Sequence, residues 1–176
     1  MKSPVGPDLA VGVEAMRAED WPAVAAIYAE GLATGKATFE TEVPEREHWD
    51  ATRLQAGRLV ARGADGTIVG WAALGRVSRR QFMSGVAEVS IYVAGAAQGR
   101  GVGRQLLSRL IDESEDAGIW TLQAAVFPEN EATIRLHERA GFRVVGRREK
   151  IAMLDGHWRD TLLLERRSDR AGMPGD

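Results

Sequence analysis

The sequence predicts a single α/β domain whose mixed β-sheet is flanked by helices. Two patterns indicate this class: the early strands form a hairpin, and the later strands alternate with amphipathic helices. A chain of 176 residues with 44% hydrophobic content can also bury a sizeable core without cross-links. No repeat at a fixed period and no low-complexity linker interrupts the pattern, so one folded unit is expected over residues 11–166. Residues 1–10 and 167–176 are predicted to be flexible tails.

The first half of the chain predicts three strands and two helices. Asp20 followed by Pro22 marks the first turn of a helix, and the pair Asp65-Gly66 favours a β-hairpin turn. The predicted elements, in chain order, are a strand over 11–17, a helix from about 20 to 35, a loop over 36–41, a helix over 45–56, and strands over 58–62 and 67–77.

The second half predicts four strands and two helices. The clearest strand places Val89, Ile91 and Val93 on one face, with Glu88 on the other. The predicted elements, in chain order, are a cationic loop over 76–85, a strand over 86–93, a helix from 101 to 118, a strand over 119–127, a helix from 130 to 141, and strands over 142–147 and 158–164, with Asp155-Gly156 in the last connection.

Composition excludes several classes of function. The chain has no cysteine, and its three histidines, His48, His137 and His157, are far apart in sequence, so no metal site is predicted. A formal charge of -2 gives no reason to expect a nucleic-acid or acidic-membrane partner. No apolar run reaches the length of a membrane helix. The N-terminus lacks the apolar core of a signal peptide, so a cytoplasmic location is expected.

A glycine-rich loop is the most informative stretch of the sequence. It lies between a predicted buried strand and an amphipathic helix, where successive N–H groups can converge at the positive end of the helix dipole. Such a loop suits a pyrophosphate, with charged contacts at its rim. The alternative is that the glycines only form a tight turn, and neither a Walker loop nor a complete dinucleotide fingerprint is present. The loop reads Gln98-Gly99-Arg100-Gly101-Val102-Gly103-Arg104.

This loop resembles the Q/R-x-x-G-x-G/A signature of the GCN5-related N-acetyltransferases (GNATs), whose loop binds the pyrophosphate of acetyl-CoA. A second segment, from Asn130 through His137 to Phe142, resembles the downstream N-x-x-A-x-x-L-Y-x-x-x-G-F motif of the same superfamily. The similarity covers about residues 13–165. It implies the GNAT acyl-CoA N-acyltransferase fold, with a mostly antiparallel central sheet, and acetyl-CoA as the co-substrate, bound by residues 98–104.

Within that superfamily the sequence is most similar to the phosphinothricin, methionine sulfoximine and arsinothricin acetyltransferases. This resemblance implies a small amino-acid-like amine as acceptor. Basic and aromatic residues of that branch are replaced here by Ser78, Ser84 and Met83, so phosphinothricin itself is less expected as the acceptor than the amino-acid-like class in general. The segments that carry the similarity are Ala37-Thr38-Phe39-Glu40-Thr41, Val69-Gly70-Trp71, Glu88 with Ser90-Ile91-Tyr92-Val93, Arg135-Leu136-His137-Glu138, and Gly156-His157-Trp158-Arg159-Asp160.

The resemblance assigns two catalytic residues. Glu88 would help to deprotonate the amine, although an ordinary ion pair with Arg79 or Arg80 would also explain a strand glutamate. His137 stands where most of the superfamily has a tyrosine that protonates the leaving thiolate, and the phosphinothricin branch has Leu-His there. A histidine at this position could instead be packed in the helix or position the cofactor.

The remaining site residues are expected to bind the two substrates. The resemblance implies that backbone N–H groups of Ile91 and Val93 meet the thioester carbonyl and the pantetheine arm. Asn130 has two compatible roles, as a helix cap and as a pantetheine contact. Four residues are predicted to meet the acceptor, although the arginines would also fit a solvated loop: Phe39, Arg76, Arg79 and Arg80.

The sequence therefore predicts an acetyl-CoA-dependent N-acetyltransferase that works by direct attack through a tetrahedral intermediate. Relatives are commonly homodimers, and Trp158 is a candidate interface residue. Three alternatives remain open: acetylation of another amine, such as an amino acid, a polyamine or a protein N-terminus, an acyl-CoA-binding module without catalysis, and a nucleotide-binding module.

Overall fold

A computed structural model describes residues 7–173. They form one seven-stranded sheet in the order β1-β2-β3-β4-β5-β7-β6, with four α-helices packed around it. The strands are β1 Val11–Ala15, β2 Leu59–Gly63, β3 Ile68–Arg76, β4 Val86–Val93, β5 Thr121–Val126, β6 Arg143–Leu154 and β7 His157–Arg167; the helices are α1 Trp21–Ala33, α2 Arg46–Thr52, α3 Val102–Asp116 and α4 Glu131–Arg139.

The predicted fold class is confirmed. Every pair of neighbouring strands in the sheet is antiparallel except β4 and β5, which run parallel. A parallel pair needs a crossover connection, and α3 supplies it. None of the helices within residues 7–173 is long and apolar enough to cross a membrane.

Each face of the sheet has its own apolar core. On one face, α3 packs Leu106, Leu107 and Leu110 against β2 to β5, and Val89 belongs to this core. On the other face, α1 packs Tyr28 against Trp71, beside Tyr92. Since alternate residues of a strand point to opposite faces, Glu88 lies on the α1 face, as the sequence predicts.

The second helix and the last two strands differ in extent from the prediction. The helix predicted over 45–56 ends at Thr52, because Arg53 is extended and bridges Gly75 of β3. The strands predicted over 142–147 and 158–164 form a longer hairpin that turns at Asp155-Gly156. Register shifts after Val144 and Arg148 break the alternation that would have identified the longer β6.

The folded unit continues beyond residue 166, where the sequence predicts a flexible tail. β7 ends at Arg167, and Ser168 and Ala171 are buried. The carboxylate of Glu115 on α3 binds Arg166, Ser168 and Arg170, which fastens this segment to the domain. The predicted tails also include residues 1–6 and 174–176, which lie outside the described part of the chain.

Candidate active site

A gap between β4 and β5 organises the site. The two strands pair only over Val86–Glu88 and Thr121–Gln123, and Glu88 with Gln123 is the last pair. Beyond it β5 continues beside β7, while β4 continues beside β3 alone. The second half of β4 therefore has one edge without a strand partner, and that edge faces the gap.

The amides of Ile91 and Val93 point into this gap. Ala94 donates its N–H to Val69 of β3, at 2.9 Å. In an antiparallel ladder alternate residues bond to the same neighbour, so the residues between them turn their N–H and C=O groups away. The Val93 carbonyl on that edge accepts a hydrogen bond from Nε2 of Gln98, at 3.2 Å. The free edge thus offers main-chain donors and acceptors to an extended ligand.

The glycine loop leads from this edge into α3. Gly99 and Gly101 have φ values of +70° and +75°, which glycine adopts without strain. Gly101 is the N-cap of α3, and no side chain caps that helix. A Cβ on Gly103 would lie 3.3 Å from Leu136 of α4, so the absence of a side chain lets α4 approach closely. The loop therefore has the left-handed turns, uncapped amides and positive helix end that suit a pyrophosphate.

Asp8 lies against the same loop, a contact that the sequence analysis did not predict. Arg104 forms an ion pair with Asp8 at 2.5 Å, and Leu9 donates its N–H to the Arg100 carbonyl. A Cβ on Gly101 would lie only 2.7 Å from the Asp8 carboxylate. Arg104, predicted to bind phosphate, is thus paired with a carboxylate beside the uncapped end of α3, whereas Arg100 forms no side-chain ion pair within residues 7–173.

Asn130 caps α4, which confirms one of its two predicted roles. Its Oδ1 accepts a hydrogen bond from the Thr133 N–H at 3.3 Å, and its Nδ2 donates to the Lys36 carbonyl at 3.2 Å. The second bond ties α4 to the loop over residues 36–41. Each polar group of the amide makes one hydrogen bond, which leaves one N–H and one oxygen lone pair for a contact with pantetheine.

Glu88 is exposed at the point where the gap opens. None of the ion pairs within residues 7–173 includes it, so the predicted alternative of a pair with Arg79 or Arg80 is not formed. A free carboxylate next to a main-chain edge has the chemistry of a general base.

His137 is almost completely buried, with 3% of its surface exposed. Its Nδ1 lies 2.8 Å from the Thr133 carbonyl, which can only accept, so the proton is on Nδ1. Nε2 is buried and has no hydrogen-bond partner in the described structure. Burial lowers the pKa of His137, and the hydrogen bond to Thr133 offsets this only in part. In neutral His137, Nε2 therefore carries no proton and can only accept a hydrogen bond.

The residues predicted to bind the acceptor do not come together. Arg76 pairs with Ala87, on the sheet face opposite Glu88. Arg79 and Arg80 are exposed on the loop, where Arg80 lies over the Phe82 ring at 5.9 Å. Phe39 packs edge-on against Phe127, with ring centroids 4.9 Å apart. The arginines thus match the solvated-loop alternative better than a common pocket.

The face of the sheet around Glu88 holds residues that the sequence analysis missed. Tyr92 is two residues from Ser90 on this face of β4, and burial raises its pKa, as does the neighbouring Tyr28. Thr38, through a hydrogen bond, and Arg53, through its charge, act on the pKa of Tyr92 in the opposite direction. These residues come from four separate segments, and no local sequence pattern connects them.

A cavity of about 410 Å³ lies apart from Glu88. It lies between α1, the start of β3 and residues 94–100, and small apolar side chains dominate its wall. It touches the glycine loop only through Arg100. No residue of β4 lines this cavity, so the gap between β4 and β5 is separate from it. No three His, Asp or Glu side chains in residues 7–173 are grouped to hold a metal ion.

Comparison with known proteins agrees with this geometry. The family model for the acetyltransferase (GNAT) family matches residues 19–142. The L-methionine sulfoximine/L-methionine sulfone acetyltransferase of Pseudomonas aeruginosa is 31% identical over 151 residues, which are 83% of this chain and 88% of the relative. The phosphinothricin N-acetyltransferase of Alcaligenes faecalis is 38% identical over 162 residues, or 88% of this chain and 81% of the relative.

A solved structure extends the similarity to the whole fold. The yncA protein of Salmonella typhimurium, solved with its cofactor acetyl-CoA, superposes with a TM-score of 0.84 at 28% identity, covering 94% of this chain and 98% of that one. The chain therefore belongs to the GNAT family of acetyltransferases. It is an acyltransferase, and this settles the class of protein that the glycine loop alone left open.

Proposed function

We propose that this acetyltransferase moves the acetyl group of acetyl-CoA to the amine of a small amino-acid-like acceptor. The observation that carries the proposal is the free edge of β4, which begins at Glu88 and leads to the glycine loop. The loop suits the pyrophosphate, and the edge can bond an extended pantetheine arm. Glu88 then lies at the inner end of that path, where the acetyl group would be.

Glu88 is the proposed base. Its carboxylate takes a proton from the ammonium of the acceptor, directly or through a water molecule, and the neutral amine attacks the thioester carbon. The amides of Ile91 and Val93 face the gap and are the donors available to the developing oxyanion of the tetrahedral intermediate. Collapse of that intermediate breaks the C–S bond and leaves a thiolate that must gain a proton.

The position of the proton on His137 decides which role we propose for it. As a neutral imidazole with Nδ1–H bound to Thr133, it has no proton on Nε2 to give to a thiolate. Burial disfavours the imidazolium that would have one. We therefore assign His137 a positioning role, in which Nε2 accepts a hydrogen bond from the bound co-substrate, and solvent supplies the proton of the thiol.

A screen of acceptors tests the proposal. The purified chain is mixed with acetyl-CoA and a panel of amines that includes L-methionine sulfoximine, L-methionine sulfone, phosphinothricin, the common amino acids, spermidine and a short peptide. Thiol release reports turnover, and mass spectrometry locates the added acetyl group. We expect N-acetylation of amino-acid-like compounds above all, with phosphinothricin a poorer acceptor. Turnover confined to spermidine or the peptide would contradict the proposed acceptor class.

We also propose that the protein is a homodimer in the cytoplasm. The β6–β7 hairpin is at one edge of the sheet and presents apolar side chains that are 42% to 58% exposed: Val144, Val145, Ile151, Met153 and Trp158. A row of exposed apolar residues on an edge strand favours association with another surface. A second copy of the chain is the partner we propose.

A further inference from the structure

Arg53 is a cation without a partner on the face of the sheet that carries Glu88. Its Nε is buried and has no hydrogen-bond partner. No ion pair within residues 7–173 includes it either. The nearby arginine Arg58 is different, because it binds the Asp50 carboxylate and three main-chain carbonyls. A buried guanidinium N–H without an acceptor is rare in folded proteins and calls for a ligand.

The backbone directs Arg53 towards Glu88. Arg53 follows α2 and bridges Gly75 at the end of β3, and the adjacent Leu54 N–H bonds the Leu74 carbonyl at 2.8 Å. Gly75 in turn is the register partner of Glu88. A Cβ on Gly75 would lie 3.1 Å from Nη1 of Arg53, so the guanidinium occupies the space that a side chain would fill. The cation and the carboxylate thus lie on one face, on either side of a residue without a side chain.

The guanidinium shares this face of the sheet with the aromatic cluster that contains Tyr28 and Tyr92. The positive charge of Arg53 acts to lower the pKa of both Tyr28 and Tyr92, although burial raises both pKa values overall. The charge is therefore within electrostatic reach of the two phenols, on the face that the loop over 36–41 covers. This face of the sheet thus carries the Arg53 cation, the Glu88 carboxylate and the two phenols.

We propose that Arg53 binds the carboxylate of the acceptor while Glu88 receives the proton of its amine; this inference rests on the proposed acetylation of an amino-acid-like compound. An α-amino acid carries its amine and its carboxylate on the same carbon atom. A site for it needs a base and a cation side by side, and Glu88 and Arg53 meet that need. The Nε–Nη edge of a guanidinium also offers two parallel donors, which match the two oxygens of a carboxylate.

Arg53 takes the place that the sequence analysis gave to Arg76, Arg79 and Arg80. Those three are exposed or on the opposite face, whereas Arg53 is half-buried beside the partner of Glu88. The inference therefore concerns specificity: the enzyme selects acceptors that have a free carboxylate next to the amine. Amines without a carboxylate enter the same site but lack this anchor.

Two acceptors and four proteins test the inference. L-methionine sulfone and its carboxamide differ only in the carboxylate, and kcat and KM are measured for both. Arg53→Gln removes the charge, and Gly75→Ala keeps the charge but pushes the guanidinium from its place. Arg109→Gln is the matched control, since it removes an exposed arginine of α3 that pairs only with Glu113. Binding of L-methionine sulfone without turnover is followed by calorimetry in the presence of CoA.

We expect Arg53→Gln to lower kcat/KM for the acid by about 10- to 100-fold, chiefly through KM, and to leave the carboxamide within about threefold of wild type. Gly75→Ala should show a smaller loss in the same direction, and Arg109→Gln none. Equal losses on acid and carboxamide, or no loss, would overturn the role of Arg53 even if acetylation proceeds. Carboxylate-dependent binding that requires Arg53, with no thiol release from any amine, would instead refute the proposed function and keep the role of Arg53.

Discussion

Glu88 and Gln123 form the last pair of residues that joins β4 to β5. In the proposed function this is the point where the thioester, entering from the gap, would meet the amine on the α1 face. Neither strand has a distinctive sequence motif at this point. The candidate site exists because β4 and β5 diverge here. This arrangement determines which variants should affect co-substrate binding and which should affect chemistry alone.

Replacing Gly101 should weaken acetyl-CoA binding. Gly101→Val places a β-branched residue at a φ of +75° and a Cβ within 2.7 Å of Asp8, so the loop must change shape. We expect the Kd for acetyl-CoA, measured by calorimetry, to rise at least about tenfold. A rise of this size corresponds to the loss of one or more charge-assisted hydrogen bonds. Gly66→Val is the control, because Gly66 has a φ of +85° in a remote hairpin turn. Gly66→Val should lower the stability of the protein but leave the Kd for acetyl-CoA unchanged. Equal Kd values for acetyl-CoA in Gly101→Val and Gly66→Val would contradict the assignment of the loop.

Removing the charge of Asp8 should strengthen the same binding. The Asp8 carboxylate pairs with Arg104 beside the N-terminus of α3, where a phosphate would have to compete with it. Because the pair is exposed, we expect Asp8→Asn to lower the Kd for acetyl-CoA by about two- to fivefold, more at low salt than at high salt. Asp112→Asn removes one exposed charge from the same helix and serves as the control. Weaker binding in Asp8→Asn would show that Asp8 supports the loop rather than opposing the ligand.

His137 should make the fold sensitive to mild acid. Its pKa is lowered in the folded state by burial, so the unfolded chain binds the proton more readily. The free energy of unfolding should be fully retained above the ordinary histidine pKa of about 6.5 and should decrease as the pH falls below it. Urea unfolding measured between about pH 5 and about pH 7.5, on either side of the ordinary histidine pKa, tests this. His137→Asn should flatten the profile, and an equally steep profile in that variant would contradict the burial argument.

A charge on the hairpin should separate the proposed dimer. Met153 and Trp158 are cross-strand partners on the exposed apolar surface of β6 and β7. Sedimentation of the wild type should give twice the chain mass, and the double change Met153→Lys with Trp158→Lys should give the single chain with its circular dichroism unchanged. Phe82→Lys removes an exposed ring from the loop at 76–85 and should leave the dimer intact. A wild type that sediments as a single chain would contradict the proposal.

Sequence alone could predict the parts of the site that depend on neighbouring residues. The glycine loop, the strand with Glu88 and the helix with His137 each have a local pattern, and each element forms where that pattern predicts it. The family resemblance implied ligand contacts for the N–H groups of Ile91 and Val93, and the strand pairing shows that β5 does not pair with this part of β4. The proton position on His137 required the distance to Thr133.

The contacts of Arg53 and Asp8 could not be predicted in the same way. Arg53 was placed inside a helix, because nothing in residues 45–56 reveals that the chain leaves the helix to bridge Gly75, 22 positions further on. Asp8 reaches Arg104 across 96 positions and belongs to a segment predicted to be flexible. In both cases the contact joins residues that are far apart in sequence, and only the folded chain brings them together.

The most direct test of the account measures Glu88 in two assays at once. Glu88→Gln keeps the size of the side chain but removes the base, so thiol release with L-methionine sulfone should decrease about 100-fold or more. Calorimetry on the same protein should give an acetyl-CoA affinity within about twofold of wild type, because the proposed role of Glu88 is at the amine and not at the pyrophosphate loop. Turnover that survives in Glu88→Gln, at any acetyl-CoA affinity, would contradict the claim that the acetyl group is transferred at the point where β4 and β5 separate.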